Sequence, residues 1–515
     1  MKINAVLAGL FLFSVASAID LNQSIAANIE EAVFNRCYAH LTGKRPALDH
    51  PLLAEVKAGS KTAVEACMSV FDKALLGANG RIANTSDEEA KAVLANFHSY
   101  HRKWFAITDI NLTLADGCTR TSTYLDEQES ALFITRSMFG RNSAGDPFPY
   151  SDIVTLGESL QAVRSNTSSS LDLLAAELNV IQNAAGNYVL STLAKTPLSG
   201  PRAELGDLYG VKIATAERKN FQVPMHQSLN ATTGATSISK YGSLALNLGG
   251  GVIGSQPYLL MNSGLGTNRF ADGAAKMSRR WSRNLLTDIM CRDLPVIRKE
   301  DALIYIQPTI TADTPAFRGN ADCMQCHASI DNMARTIRNI RSTRNLNCRD
   351  IDPHPVRGGK VRLGTSLIEY LTPTLNEIGT TDGDCNNTGS NNVNACKYPH
   401  RRPLGSFVFR THDGKLIEKS IEGPGQLGQA LAETEDLYAC ASARYTKFFT
   451  GVDVKMADFN GAATPLNPEQ NKAKKFVVDL GKKLKSHQSL RTLILDIISS
   501  DLYKQDLVKR MGASK

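Results

Sequence analysis

The chain has 515 residues, 42% of them hydrophobic and 21% charged, with a formal net charge of +8, and this balance excludes a disordered polymer. So modest an excess of positive charge over this length leaves no basis for a nucleic-acid partner. The length exceeds what a single core fills, so several domains are expected.

Residues 1–18 read as a secretory signal peptide: Lys2 near the start, an apolar run from Ala5 to Val15, and the small-x-small site Ala16-Ser17-Ala18. The mature chain then begins near Ile19 and is expected in the periplasm or at the surface of a bacterial cell. No later apolar run is long enough to span a bilayer, so no transmembrane segment is expected after cleavage.

Helical periodicity dominates the rest of the chain. Ser86 with Glu89 has the spacing of a capping box, and Ala90, Val93, Leu94, Phe97, His101 and Trp104 then share one helix face. Met277, Trp281, Leu285, Leu286, Ile289 and Met290 form a second amphipathic stretch ahead of Pro295. Residues 376–402 read as a long polar loop, with Cys385 and Cys396 as a plausible local pair. The segment from Ser406 to His412, an Asp413-Gly414 turn and Lys415-Leu416-Ile417 read as one β-hairpin. Lys472, Lys474, Lys475, Lys482, Lys483 and Lys485 interleave with apolar residues as the solvated face of a helix. Ser489 caps a last stretch carrying Leu490, Leu493, Ile494, Ile497 and Ile498. The fold class expected is mainly α, a multi-domain helical protein with one small β-hairpin. RCYAHLTG at 36–43 and RYTKFFTG at 444–451 share Arg, Thr and Gly at equal offsets, which points to similar helical units near the two ends.

The motif that carries chemistry is Cys323-Met324-Gln325-Cys326-His327. This spacing is that of a c-type haem site, so thioether bonds from both sulfurs are expected to hold one haem c covalently, with the imidazole of His327 as the proximal iron ligand. With ten Cys and ten His in the chain, a chance match is expected only about 0.004 times. Ile330, Ala334, Ile337 and Ile340 continue at helical spacing as an apolar stripe. Arg335, Arg338 and Arg341 take the other side, a solvated face within reach of haem propionates. The rival reading is a redox-active Cys323–Cys326 disulfide, which needs a βαβ setting this stretch lacks. Candidates for the sixth iron ligand are Met333, His354, His400 and His412, with Met456, His98 and His101 behind them; His101, on an apolar face, has the pattern of a satisfied core histidine.

Outside the motif remain Cys37, Cys67, Cys118, Cys291, Cys348, Cys385, Cys396 and Cys440. In an exported protein these are expected in disulfides, with a connectivity the sequence leaves open. Gly249-x-Gly251-x-x-Gly254 matches a dinucleotide fingerprint on paper, but Pro257 blocks the helix it requires. Asp382-x-Asp384-x-Asn386 begins like a calcium loop, but Asn387 replaces the Gly and Val393 the bidentate Glu, so calcium is not expected. The chain accordingly divides into a signal peptide at 1–18, an N-terminal helical domain at 19–115 and a central helical domain at 116–300. A haem-bearing cytochrome-c-like segment at 301–404 and a β-hairpin with a C-terminal helical domain at 405–515 complete it.

From residue 250 to 515 the chain resembles a planctomycete-type family of large secreted bacterial proteins built round a c-type cytochrome motif. The matching stretches are Gly251-Val252-Ile253 to Leu260, Asn284-Leu285-Leu286 through Cys291 to Pro295, and Cys323 to His327 with Ile330-Asp331. Asp413-Gly414, Gly423-Pro424 with Leu427 and Leu431, Cys440 and Phe449-Thr450-Gly451 come after these in order. The family has Asp-Pro after the haem motif where this chain has Asp331-Asn332. The resemblance implies haem binding and electron transfer and no particular substrate. The function expected is that of an exported monohaem c-type cytochrome-like protein passing electrons to a redox partner protein in the cell envelope. The alternatives are an envelope binding or scaffold protein with a structural haem, and a haem oxidase or peroxidase with an open iron position; a di-haem peroxidase would need a second Cys-x-x-Cys-His, which the chain does not have.

Overall fold

The computed structural model describes residues 28–77, 82–84, 86–106, 129–157, 249–262, 270–308, 316–338, 340, 403–456 and 466–504, and the backbone of further strands between 159 and 244 and between 341 and 370. The signal peptide and the polar loop at 376–402, with Cys118, Cys385 and Cys396, lie outside the described residues.

The protein is mainly α. In the first part of the chain lie α1 (28–42), α2 (Pro51–Lys57), α3 (Ala63–Asp72), α4 (Glu88–Trp104), α5 (Glu129–Phe139) and α6 (Asp152–Thr155). Next come α7 (Gln256–Met261), α8 (Phe270–Met290), α9 (Lys299–Ala302) and α10 (Ala321–Ala334). The C-terminal part holds α11 (Gly423–Ala432), α12 (Glu435–Thr450), α13 (Pro468–His487) and α14 (Leu490–Ser499).

Strand backbone in the middle of the chain comprises β1 (Ser159–Ala162), β2 (Val180–Gln182), β3 (Tyr188–Leu190), β4 (Val211–Ala214), β5 (Gln222–Leu229), β6 (Thr236–Leu244), β7 (Ile340–Arg349) and β8 (Val361–Tyr370). These pair antiparallel as β1-β4, β2-β3 and β5-β6-β8-β7, so the interval 116–300 holds strands as well as helices. The expected hairpin is β9 (Leu404–Arg410) and β10 (Leu416–Glu422), closed with Arg410 opposite Leu416. Its turn uses Gly414 at φ 87°, a left-handed conformation that suits Gly.

The helical faces read from the sequence are the faces that pack. Val93, Leu94, Phe97, His101 and Trp104 of α4 are buried, and so are Trp281, Leu285, Leu286, Ile289 and Met290 of α8. On α14 Leu490, Leu493, Ile494, Ile497 and Ile498 are buried behind the Ser489 cap, whose side chain accepts from the Thr492 N–H. The cap of α4 sits one residue later than expected. Asp87 accepts from the Glu89 and Ala90 N–H groups, and the Glu89 side chain instead meets His50 at 3.0 Å and Lys73.

One hydrophobic cluster runs from Val33 in α1 to Tyr503 beyond α14, so the intervals 19–115 and 405–515 share a core. Phe71 stacks on Phe139 with centroids 5.0 Å apart and meets Phe97 edge-on at 5.8 Å. Such pairs add about 0.5–1.5 kcal/mol each to simple burial. Disulfides Cys37–Cys67 and Cys291–Cys440 tie the helices, the second closing a loop of 149 residues. The two similar octapeptides end α1 and α12 alike: Gly43 and Gly451 both sit at positive φ and donate to the carbonyls of Ala39 and Lys447.

Gly249, Gly250 and Gly251 are all at positive φ, but they serve packing. A Cβ on Gly250 would stand 2.5 Å from the Pro424 carbonyl oxygen, and one on Gly428 1.7 Å from that of Val154. Here α11 lies backbone to backbone on α6 and on the turn before α7, which is what those glycines permit. Among the described residues no helix is long and apolar enough to cross a membrane.

Candidate haem site

The helix α10 starts where its sequence allows a clean cap: the Asn320 side chain accepts from the Asp322 N–H, and no Pro or Gly interrupts Ala321–Ala334. Cys323 and Cys326 stand three residues apart and His327 four beyond Cys323, so all three fall on one helical face. Met324, Ala328, Ile330 and Met333 turn inward and hold the helix to the protein. Behind it Met324 and Ala328 pack with Ile297, Ala302 and Val408, and β9 approaches closely enough that a Cβ on Gly405 would lie 2.3 Å from the Asn332 carbonyl oxygen. The motif therefore sits on a rigid helix with its reactive face half-exposed.

Both motif cysteines are free thiols of intermediate exposure. Burial, with Cys323 beside it, pushes the Cys326 thiol above the ordinary cysteine range.

His327 is held on two sides. Its ring stacks on Phe317 with centroids 4.1 Å apart and planes 27° from parallel. Its Nδ1 lies 3.3 Å from both carboxylate oxygens of Asp331, one helical turn on. Asp331 is in turn gripped from α8, where Arg279 donates from Nε at 2.6 Å and from Nη2 at 3.0 Å, while Arg318 approaches to 3.8 Å. A carboxylate at Nδ1 places the ring proton there and leaves the Nε2 lone pair for a ligand. The side chain is 26% exposed, and Nε2 makes no hydrogen bond among the described residues.

The donor set fits a covalent c-type haem: two free thiols, one imidazole with its tautomer assigned, and Arg318, whose Nε is buried with no hydrogen-bond partner among the described residues and suits a carboxylate. Sequence reasoning missed Arg279, Arg318 and Phe317, which precede the motif on other elements and carry no spacing signal. The apolar stripe also departs from expectation. After Ile330 and Ala334 the helix tightens into a 3₁₀ turn at Arg335–Ile337, and Ile340 is buried as the first residue of β7. Arg338 donates to the Leu404 and Arg335 carbonyls, Arg335 is exposed, and the Arg341 side chain lies outside the described residues.

Of the sixth-ligand candidates, Met333 is fully buried in the core and shares α10 with His327. It packs into the core from the inward face of the helix, whereas Cys323, Cys326 and His327 are half-exposed. His412 lines a cavity of about 370 Å³ together with Asp413, Lys415, Lys419, Glu433 and Lys485. Its Nδ1 lies 3.1 Å from Asp436 and its Nε2 3.8 Å from Glu435, so both ring nitrogens face carboxylates. Met456 is buried in a separate small cluster. His98 and His101 are core histidines: both reach Thr135, at 3.1 and 2.8 Å, and His101 also bonds Tyr445 at 2.7 Å. Burial, with His98 adjacent, holds His101 neutral well below the usual histidine range. His354 and His400 lie outside the described residues, as does the calcium-like stretch at 382–393.

Among the described residues no three His, Cys, Asp or Glu cluster as a bare metal ion would require. Compared with family models, curated proteins and solved structures, the chain finds no match in any of the three.

Proposed function

We propose that the chain is an exported monohaem c-type cytochrome-like protein that transfers electrons in the cell envelope. The observation that carries this reading is the single half-exposed helical face on which Cys323, Cys326 and the Nε2 of His327 stand together, with Nδ1 already committed to Asp331. A haem held there would be bound by both thiols, each S–H adding across one vinyl group with the sulfur on the inner carbon and the hydrogen on the outer one, which needs no oxidant or reductant. A haem iron bound there supplies a one-electron couple.

The chain's own residues fix the site. Cys323 and Cys326 anchor the porphyrin edge, Asp331 and Phe317 orient the imidazole, and Arg318 offers a donor to a propionate. Disulfides Cys37–Cys67 and Cys291–Cys440 agree with an oxidising compartment and hence with export through residues 1–18 to the periplasm or cell surface. A redox partner protein is implied by the function, and the sixth iron ligand would come from the candidates the sequence offers, among them His354, His400 and His412. The test is an ultraviolet-visible spectrum of the purified protein, ferric and ferrous. A low-spin, six-coordinate spectrum with slow cyanide binding is expected; a high-spin ferric spectrum with rapid binding of cyanide or peroxide overturns electron transfer in favour of an oxidase or peroxidase.

A further inference from the structure

We propose that Asp331, locked by Arg279, is a positioning residue that sets how strongly His327 donates to the iron, an inference that rests on the haem reading. Three observations lead to it. Both oxygens of the carboxylate lie 3.3 Å from Nδ1, so the ring meets a full anionic acceptor. The carboxylate does not depend on His327 for its position, because Arg279 of α8 takes both oxygens in a two-toothed grip at 2.6 and 3.0 Å. Phe317, stacked on the ring, limits its rotation about the remaining bond.

A carboxylate accepting from Nδ1–H gives the imidazole some imidazolate character, which favours ferric over ferrous iron. Arg279 works in the opposite sense, since two charge-assisted bonds draw the carboxylate's electron density away from the ring. The pair therefore forms a graded control in which an anion strengthens the ligand and a cation on another helix moderates the anion.

The experiment is a potentiometric titration of the haem-loaded full-length protein and three variants, with unfolding midpoints measured in parallel. Asp331→Asn is expected to move the ferric-to-ferrous equilibrium about tenfold toward ferrous, which is about 59 mV upward for a one-electron couple. Arg279→Gln is expected to move it downward. Asp331→Glu keeps the charge but displaces the carboxylate by a methylene, so it should shift upward as Asp331→Asn does. An Asp331→Glu protein that titrates like the parent shows that charge alone matters and overturns the proposal, as does an Asp331→Asn shift below twofold. If Asp331→Asn does not fold, Arg279→Gln decides, and an unchanged or higher potential refutes the assignment. A parent protein without haem defeats both this inference and the function it rests on; a haem-bearing parent with insensitive variants defeats this inference alone.

Discussion

Two histidine–aspartate–arginine sets stand out among the described residues, and they differ in closure. At His412, Asp436 takes Nδ1 at 3.1 Å, Glu435 faces Nε2, and Arg292 reaches Asp436 at 2.9 Å with both partners fully buried. At His327, Asp331 takes Nδ1 and Arg279 takes Asp331, but Nε2 is open and the arginine is 46% exposed. The same three residue types thus serve the fold where both imidazole nitrogens face carboxylates and the Arg292–Asp436 pair is buried, and present a ligand atom where one imidazole nitrogen is left open at the surface. Residue type does not separate the two sets; the unmatched atom does.

The largest expected effect tests the closed set. Arg292→Ala leaves Asp436 buried without its cation and should cost about 3–5 kcal/mol in denaturant unfolding. Burial lowers the Arg292 guanidinium to about 10, Asp436 opposing that shift, so it remains charged at neutral pH and the loss should be present there. Haem attachment in the surviving folded fraction should be unchanged; its loss would show that the two sets are not independent.

A third carboxylate sharpens the contrast, because Asp288 is half-buried without a bidentate guanidinium. Burial raises its pKa to about 6, against the pull of Arg444 and the hydrogen bond donated by the Tyr258 hydroxyl at 3.1 Å. A carboxyl whose folded value lies above its unfolded 3.8 binds more protons when folded, so stability falls as pH rises from about 4 through about 6. Asp288→Asn should therefore raise stability at pH 7 by at most about 3 kcal/mol and change little at pH 4. A gain of equal size at both pH values would contradict the titration.

The smallest effect is expected at the open set. The Arg279–Asp331 pair is partly solvated, so Arg279→Gln should cost no more than about 1 kcal/mol in unfolding free energy. A loss comparable to that of Arg292→Ala would make this pair a structural one.

Much of the fold and site is legible in the sequence where a pattern is local. The α4, α8 and α14 faces obey the helical period, the hairpin forms about its Asp413-Gly414 turn, and the haem motif lies within five consecutive residues. What stays hidden depends on distant segments meeting. Arg279 lies 52 residues before Asp331, and nothing in its neighbourhood marks it as a partner. Gly250 and Gly428 are small because backbones cross there, whereas the local pattern offers only a spurious dinucleotide fingerprint. The cap of α4 moves to Asp87 because Glu89 is needed by His50 and Lys73. Arg338 points to backbone carbonyls because α10 ends sooner than a continued apolar stripe implies.

The most direct test of the central claim is covalent attachment itself, read by haem-dependent peroxidase staining after acid-acetone extraction and denaturing electrophoresis. Thioether-bound haem survives both treatments. The exported full-length protein should stain as a single band, and Cys323→Ala with Cys326→Ala should remove the stain while the polypeptide is still made. An unstained parent protein, or a stain that persists in the double variant, would contradict the assignment of this helical turn as the haem site.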